Sequence, residues 1–331
     1  MFNRVVLSLV LGISISVLPA THTFRTNDGE AFSDLESVYN VTTSVMDDVK
    51  ESIFTIKLKC RSRTIDIRSC SLYDPQYRTT YLKSPCEKSK LCKTEHLKAD
   101  NSYVGRFEIK ERGSSVERLT VSSGTSLKQL SFYRIMANHL LPGVDVDGKP
   151  EGTYSLIEES VYGKCEALVK VVRTETKEEV TEDKRIAKLV PMTHHGGNET
   201  TETSRVARQV LSIKRTRNLE TCYPVPGLLI FDAFFYHPMM TSVHYDIKSS
   251  ISRLIASDRA FTSYTTEDVA MKNTENGGNT TMLHIRTTVT LHSVDQVKDK
   301  IPRIFYPVSV ELPFVEGFDP SSNNTSNKTH Q

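Results

Sequence analysis

Between Ser52 and Cys60 the side chains change character at every step: Phe54, Ile56, Leu58 and Cys60 share one parity, and Thr55, Lys57 and Lys59 the other. A period of two marks a strand with one buried and one solvated face, because a helix would scatter that set around its axis. Ile65 and Ile67 continue the pattern up to Cys70. Tyr103 to Glu111 and Val116 to Val121 flank Gly113 and Ser114, and Thr153 to Glu158 and Lys164 to Arg173 flank a second turn, so two hairpins are predicted. Val206 to Ile213 and Thr281 to Leu291 read as later strands; in the second, Leu283, Ile285, Val289 and Leu291 alternate with His284, Arg286, Thr288 and Thr290. The fold class expected is mainly β with minor α: an antiparallel barrel or sandwich in the first half, then a second β-rich α+β region.

Helices are few. Thr125 or Ser126 is placed to cap one that carries Leu127, Leu130, Ile135 and Leu141 and stops at Pro142 and Gly143. A short one is predicted at Ser249 to Ala256. Ile304 to Leu312 is predicted to pair with the Thr281 to Leu291 strand, as an edge strand because Pro307 lacks a donor. From Arg173 to Arg185 nine of thirteen residues are charged, which places a solvated connection there. The expected organisation is a signal at 1–20, a β-rich domain at 21–175, a linker at 176–204, a second β-rich region at 205–320 and a polar tail at 321–331.

The signal rests on Arg4 followed by 14 mainly apolar residues, Val5 to Leu18, and then Pro19 and Ala20. A secreted, extracellular protein is expected. The most apolar later run, Gly227 to Met240, is broken by Asp232 and His237, so no membrane span is expected. Six cysteines, Cys60, Cys70, Cys86, Cys92, Cys165 and Cys222, read as a disulfide framework in an oxidising compartment. Their irregular intervals contain no C-x2-C, which argues against zinc. Connectivity stays open; Cys86 and Cys92 are close enough to staple a lysine-rich loop, and Cys165 with Cys222 would clamp the middle of the chain. Six sequons, at Asn40, Asn198, Asn279, Asn323, Asn324 and Asn327, imply a glycoprotein, with sugar expected on Asn198, Asn279 and the tail.

The 42 basic and 40 acidic residues nearly cancel, which removes the electrostatic case for a general nucleic-acid binder. Five cations in thirteen residues with no acid, Arg205, Arg208, Lys214, Arg215 and Arg217, form a candidate contact for a polyanion or lipid headgroup. No G-x-S-x-G elbow, H-E-x-x-H helix, phosphate loop or dinucleotide fingerprint occurs. Neither an enzyme nor a cofactor is therefore expected, and no metal site. Asp145, Asp147 and Gly148 open like a calcium loop but lack its remaining ligands and read as a turn. His194 and His195 read as solvated loop residues. His237 and His244, near Asp232 and Asp246, read as structural, with a hydrolase using His237, His244 and Asp246 as the minor alternative.

The segment from Gly152 through Tyr154 and Cys165 to Val171 resembles the late barrel strands of tick salivary lipocalins, which place a cysteine at the start of an apolar strand after a tyrosine-containing one. The resemblance spans residues 35 to 175 and includes Cys60 at the end of a first clear strand. It implies a barrel enclosing a small hydrophobic or amine ligand, and a salivary role in immunomodulation. The leading expectation is accordingly a secreted glycoprotein that binds a small ligand or modulates host defence. The alternative is a two-domain β-rich decoy or adhesion factor that binds an extracellular protein without a ligand cavity.

Overall fold

A computed structural model describes residues 35–81, 94–97, 104–146, 148–176, 208–223, 243–257, 260–273, 280–297 and 299–312. In chain order these form β1 (Leu35–Met46), β2 (Lys50–Ser62), β3 (Ile67–Tyr81), β4 (Thr94–Leu97), β5 (Gly105–Arg112), β6 (Ser115–Ser122), α1 (Leu127–Leu140), β7 (Gly152–Ser160) and β8 (Gly163–Thr176). Then follow β9 (Arg208–Tyr223), β10 (Val243–Ala256), β11 (Phe261–Asn273), β12 (Thr280–Gln296) and β13 (Pro307–Val310). All lie in one sheet, in the order β13-β6-β5-β3-β2-β1-β12-β11-β10-β9-β8-β7, with β4 alongside the second half of β3. Every pairing is antiparallel.

The sheet curls around α1. Ser126 accepts from the Gln129 amide while Gln129 reaches back to the Ser126 amide, a capping box that starts the helix one residue before its apolar positions begin. A surface helix buries one stripe, whereas every residue from Leu130 to Leu140 is buried here. Phe132 meets Phe54 of β2 edge-on at 5.6 Å, and Tyr133 stacks on Phe107 of β5 at 4.6 Å. Gly105 is needed at that second contact, since a Cβ there would sit 2.1 Å from the Tyr133 hydroxyl. On the opposite wall His139 reaches Ser263 of β11. The same curl brings the two ends of the sheet together without closing it. Gly143, just beyond α1, donates to the Ser114 carbonyl beside β6 and accepts from the Glu159 amide of β7, so the chain after the helix bridges the seam.

Gly143 has φ +70°, and an added Cβ would lie 2.7 Å from the Glu159 carbonyl oxygen. Gly143→Ala is therefore expected to destabilise the fold by roughly 2 kcal/mol, from left-handed backbone strain plus the clash. Urea denaturation measures it; an unchanged midpoint would show that the seam tolerates a side chain.

Several expectations change. The class, mainly β with minor α, is as expected, but the first half does not close into a barrel: the outer edge of β1 is taken by β12. The charged connection at 176–204 does not separate two sheets, because β8 and β9 pair across it. Ser249 to Ala256, expected as a helix, belongs to β10, with Ser250, Ser252, Leu254 and Ala256 inward and Arg253 exposed. No helix is found in the second half among the described residues. β13 is an edge strand, as Pro307 required, yet its partner is β6 and not β12. Cys60 bonds Cys70 across the β2–β3 register, and Cys165 bonds Cys222 across β8 and β9. Cys86 and Cys92 lie outside the described residues, as do the expected leader and five of the six sequons. The sixth, Asn40, is exposed on the outer face of β1.

Candidate functional site

Inside the sheet, beyond the end of α1, lies a cluster of buried charges. β7 directs Glu158 inward, and β9 directs Arg215 and Arg217 inward on the same parity as Leu211 and Ile213. Glu158 and Arg215 are fully buried at 0 % exposure. One carboxylate oxygen, Oε1, accepts from Arg215 at 2.6 Å and from Arg217 at 2.7 Å. Arg217 Nε lies 2.6 Å from Oε2, an ion-pair contact whose angles fall short of a hydrogen bond. Arg215 also donates to the Pro142 carbonyl, tying the cluster to the seam. Arg217 continues to Ser250 Oγ at 2.7 Å and stacks over the Tyr162 ring. Burial by itself would raise the Glu158 carboxyl, but Arg217 and Arg215 together overcome that and hold it below the ordinary value. His139 goes the other way: burial, then the two guanidiniums, push it down to about 3, so it is a neutral hydrogen-bonding group at neutral pH.

Ser250 donates in turn to Glu267 of β11 at 3.4 Å. Glu267 is buried, and desolvation raises its carboxyl to about 8. Between the ordinary carboxylate value and that figure the folded chain holds a proton that the unfolded chain has released, so stability falls as pH rises through the window. Glu267→Gln is expected to flatten the pH dependence from about pH 5 to 8 and to stabilise the protein by about 3 kcal/mol near neutrality. Thermal or urea unfolding at the two ends of that range would show it. A mutant curve parallel to that of the wild type would refute it.

This cluster is a structural ion network. Its carboxylate is paired with two cations, and its histidine is neutral and bonded to a serine. The outer face holds a second constellation, with Ser249, Asp268 and His284 side by side on β10, β11 and β12. Ser249 donates to Asp268 Oδ2 at 2.6 Å, and His284 Nδ1 meets Oδ1 at 2.7 Å. The Ser249 bond lowers the Asp268 carboxyl first, and His284 adds to it. With the aspartate in the middle, the serine proton points away from the histidine, so the order needed to activate a hydroxyl nucleophile is absent.

The sequence-derived candidates fare unequally. Arg215 and Arg217 are buried and point away from exposed Lys214, so the five-cation patch does not exist as a surface. Arg205 lies outside the described residues and Arg208 enters only as backbone. Asp246 is exposed and pairs with Lys248, while His194, His195 and His237 lie outside the described residues and His244 contributes only backbone to β10. Gly148, with φ +69°, belongs to a tight turn closed by Lys149 and Val146. Among the described residues no group of three or more His, Cys, Asp or Glu is placed to hold a metal ion.

Sequence reasoning missed a row on the outer face. Strand pairing aligns Thr153, Lys170, Lys214, Arg253, Tyr264, Thr288, Thr42, Thr55 and Gln76 in one line across nine strands. Lys170, Lys214 and Arg253 are exposed neighbours on β8, β9 and β10. No signal in the one-dimensional sequence joins residues 170, 214 and 253; register alone does.

No protein-family model matches this chain, and no curated protein matches it. A solved structure of lipovitellin, concerned with its lipid–protein interactions, is similar at a TM-score of 0.49 and 9 % identity, over 83 % of this chain. The match spans 27 % of that protein's length. Two disulfides are compatible with an extracellular protein, and no helix among the described residues is long and apolar enough to cross a membrane.

Proposed function

We propose that this chain is an exported, disulfide-bonded binding protein that engages an extracellular partner through the outer face of its sheet. The observation that carries this reading is the position of α1. A barrel that sequesters a small molecule keeps its concave side for the ligand, and here that side receives a helix buried from Leu130 to Leu140. The outer face, by contrast, presents long strands whose exposed residues include hydroxyls, amides, charges of both signs and the apolar side chains of Ile157, Leu168 and Met282. Of the two functions expected from the sequence, this favours surface recognition over enclosure of a hydrophobic or amine ligand.

Native mass spectrometry of unheated secreted protein tests it. The expected mass is that of the processed, glycosylated polypeptide alone; a small molecule retained stoichiometrically through gentle desalting would return the reading to a ligand carrier.

A further inference from the structure

We propose that the row crossing the outer face is a binding strip for a linear sulfated polysaccharide, with Lys170, Lys214 and Arg253 holding the sulfates and the hydroxyl-bearing residues beyond them holding the sugar. This rests on the surface-recognition reading above and names its partner class.

Like charges directly opposite one another on neighbouring strands destabilise a sheet by up to about 1 kcal/mol per pair. The Lys170–Lys214 and Lys214–Arg253 pairs are two such juxtapositions in succession. Beside the three cations on their own strands stand Val172, Ser212 and Ile255 on one side and Leu168, Thr216 and Ile251 on the other, none of them a carboxylate, and the carboxylate of Glu151, just before β7, accepts from the Arg173 amide. With strands about 4.8 Å apart, the three cations form a straight line about 10 Å long. Anionic groups carried in sequence along a chain match that spacing, whereas a single small anion would reach only one or two of the three.

The rest of the row decides between a polymer and a membrane. Past Arg253 it continues through Tyr264, Thr288, Thr42, Thr55 and Gln76, none of them charged and each with a hydroxyl or amide to exchange hydrogen bonds with sugar hydroxyls. The outer face is also the convex one, since α1 occupies the inside of the curl. A flexible linear chain can follow a row over a convex surface. A flat bilayer would meet that surface only along a narrow line and leave most of the row unused.

The test is binding of the full secreted protein to immobilised heparin at about 0.15 M salt, where exposed charges act over about 8 Å. The ladder variant K170S/K214S/R253S is compared with K272S/K300S/R303S, which removes the same charge from exposed positions elsewhere. The ladder variant should lose at least about tenfold in affinity and the control less than about twofold. T42V/T288V, which removes hydroxyls at constant shape, should lose about threefold with an unchanged salt dependence, since only uncharged hydrogen bonds are deleted. Circular dichroism and melting temperature verify that each variant is folded, and R253S alone should give an intermediate loss. Equal losses in ladder and control variants, equal binding to desulfated heparin, or undiminished binding by T42V/T288V would overturn the proposal. Tighter binding to phosphatidylserine vesicles than to heparin, abolished in the ladder variant, would overturn it in favour of a membrane. Failure here with no small molecule retained in native mass spectrometry would refute the polysaccharide and leave the surface-recognition reading standing.

Discussion

Glu158→Ala should cost about 3–5 kcal/mol of folding stability, the range expected when one member of a buried ion cluster is removed and its partners are left uncompensated. Arg215 and Arg217 would then share the interior with no anion within hydrogen-bonding reach, and Arg215 Nε already has no hydrogen-bond partner. Glu158→Gln should recover part of the loss by keeping the shape and one acceptor oxygen. Replacing all three charges by methionine should restore most of it, because an apolar set of similar volume avoids the desolvation of three ions. The pH dependence has a definite sign. The Glu158 carboxyl is lowered in the folded state, so its contribution is complete above the ordinary carboxylate value and is lost as pH falls through the folded one. Urea denaturation of the four proteins measures each step. A Glu158→Ala midpoint close to that of the wild type would mean that the guanidiniums reach water.

The second large effect is expected from the Cys165–Cys222 bond. It closes a loop of 57 residues, and in the chain-entropy model such a closure is worth about 4 kcal/mol, against about 3 kcal/mol for the 10-residue Cys60–Cys70 loop. Replacing Cys165 and Cys222 by serine should therefore shift the urea midpoint more than the same change at Cys60 and Cys70. Cys165 is also the register partner of Glu158. The two lesions share a neighbourhood, so combining them should deviate from additivity, while Glu158→Ala combined with loss of Cys60–Cys70 should be closer to additive. Equal shifts on removing either disulfide would contradict this account.

How far the sequence revealed the fold depended on which residues each strand turns inward. β2 was legible because its inward residues are apolar at almost every step. The β5–β6 and β7–β8 hairpins were legible from their turns, and α1 from its cap and from Pro142. β1, β10 and β11 hide the pattern by burying hydroxyls in directly opposed pairs: Thr43 with Thr287 at 3.1 Å and Ser252 with Thr265 at 3.0 Å. Each partner satisfies the other, so burial is tolerated, but a reader of one strand sees only polar residues on the core face. In β10 that left Ile251, Leu254 and Ile255 as the visible apolar set, and their spacing of three and four imitates a helix.

The charge cluster leaves a signal in the sequence of β9. Arg215 and Arg217 keep the parity of Leu211 and Ile213, so their strand position already directed them inward. What the strand could not supply was the reason they are tolerated there, since Glu158 stands 57 positions before Arg215.

By itself, the sequence determined the β-rich class, the one well-capped helix, two hairpins and a cysteine content suited to an oxidising compartment, all of which follow from contacts between near neighbours or from residue chemistry alone. Only the tertiary structure decided that both halves share one sheet, that the helix is buried inside its curl, and that residues 170, 214 and 253 stand in line. Those outcomes depend on which strand edges meet and in what register, and pairing between distant segments is set by the energy of the whole assembled face, which no local window contains.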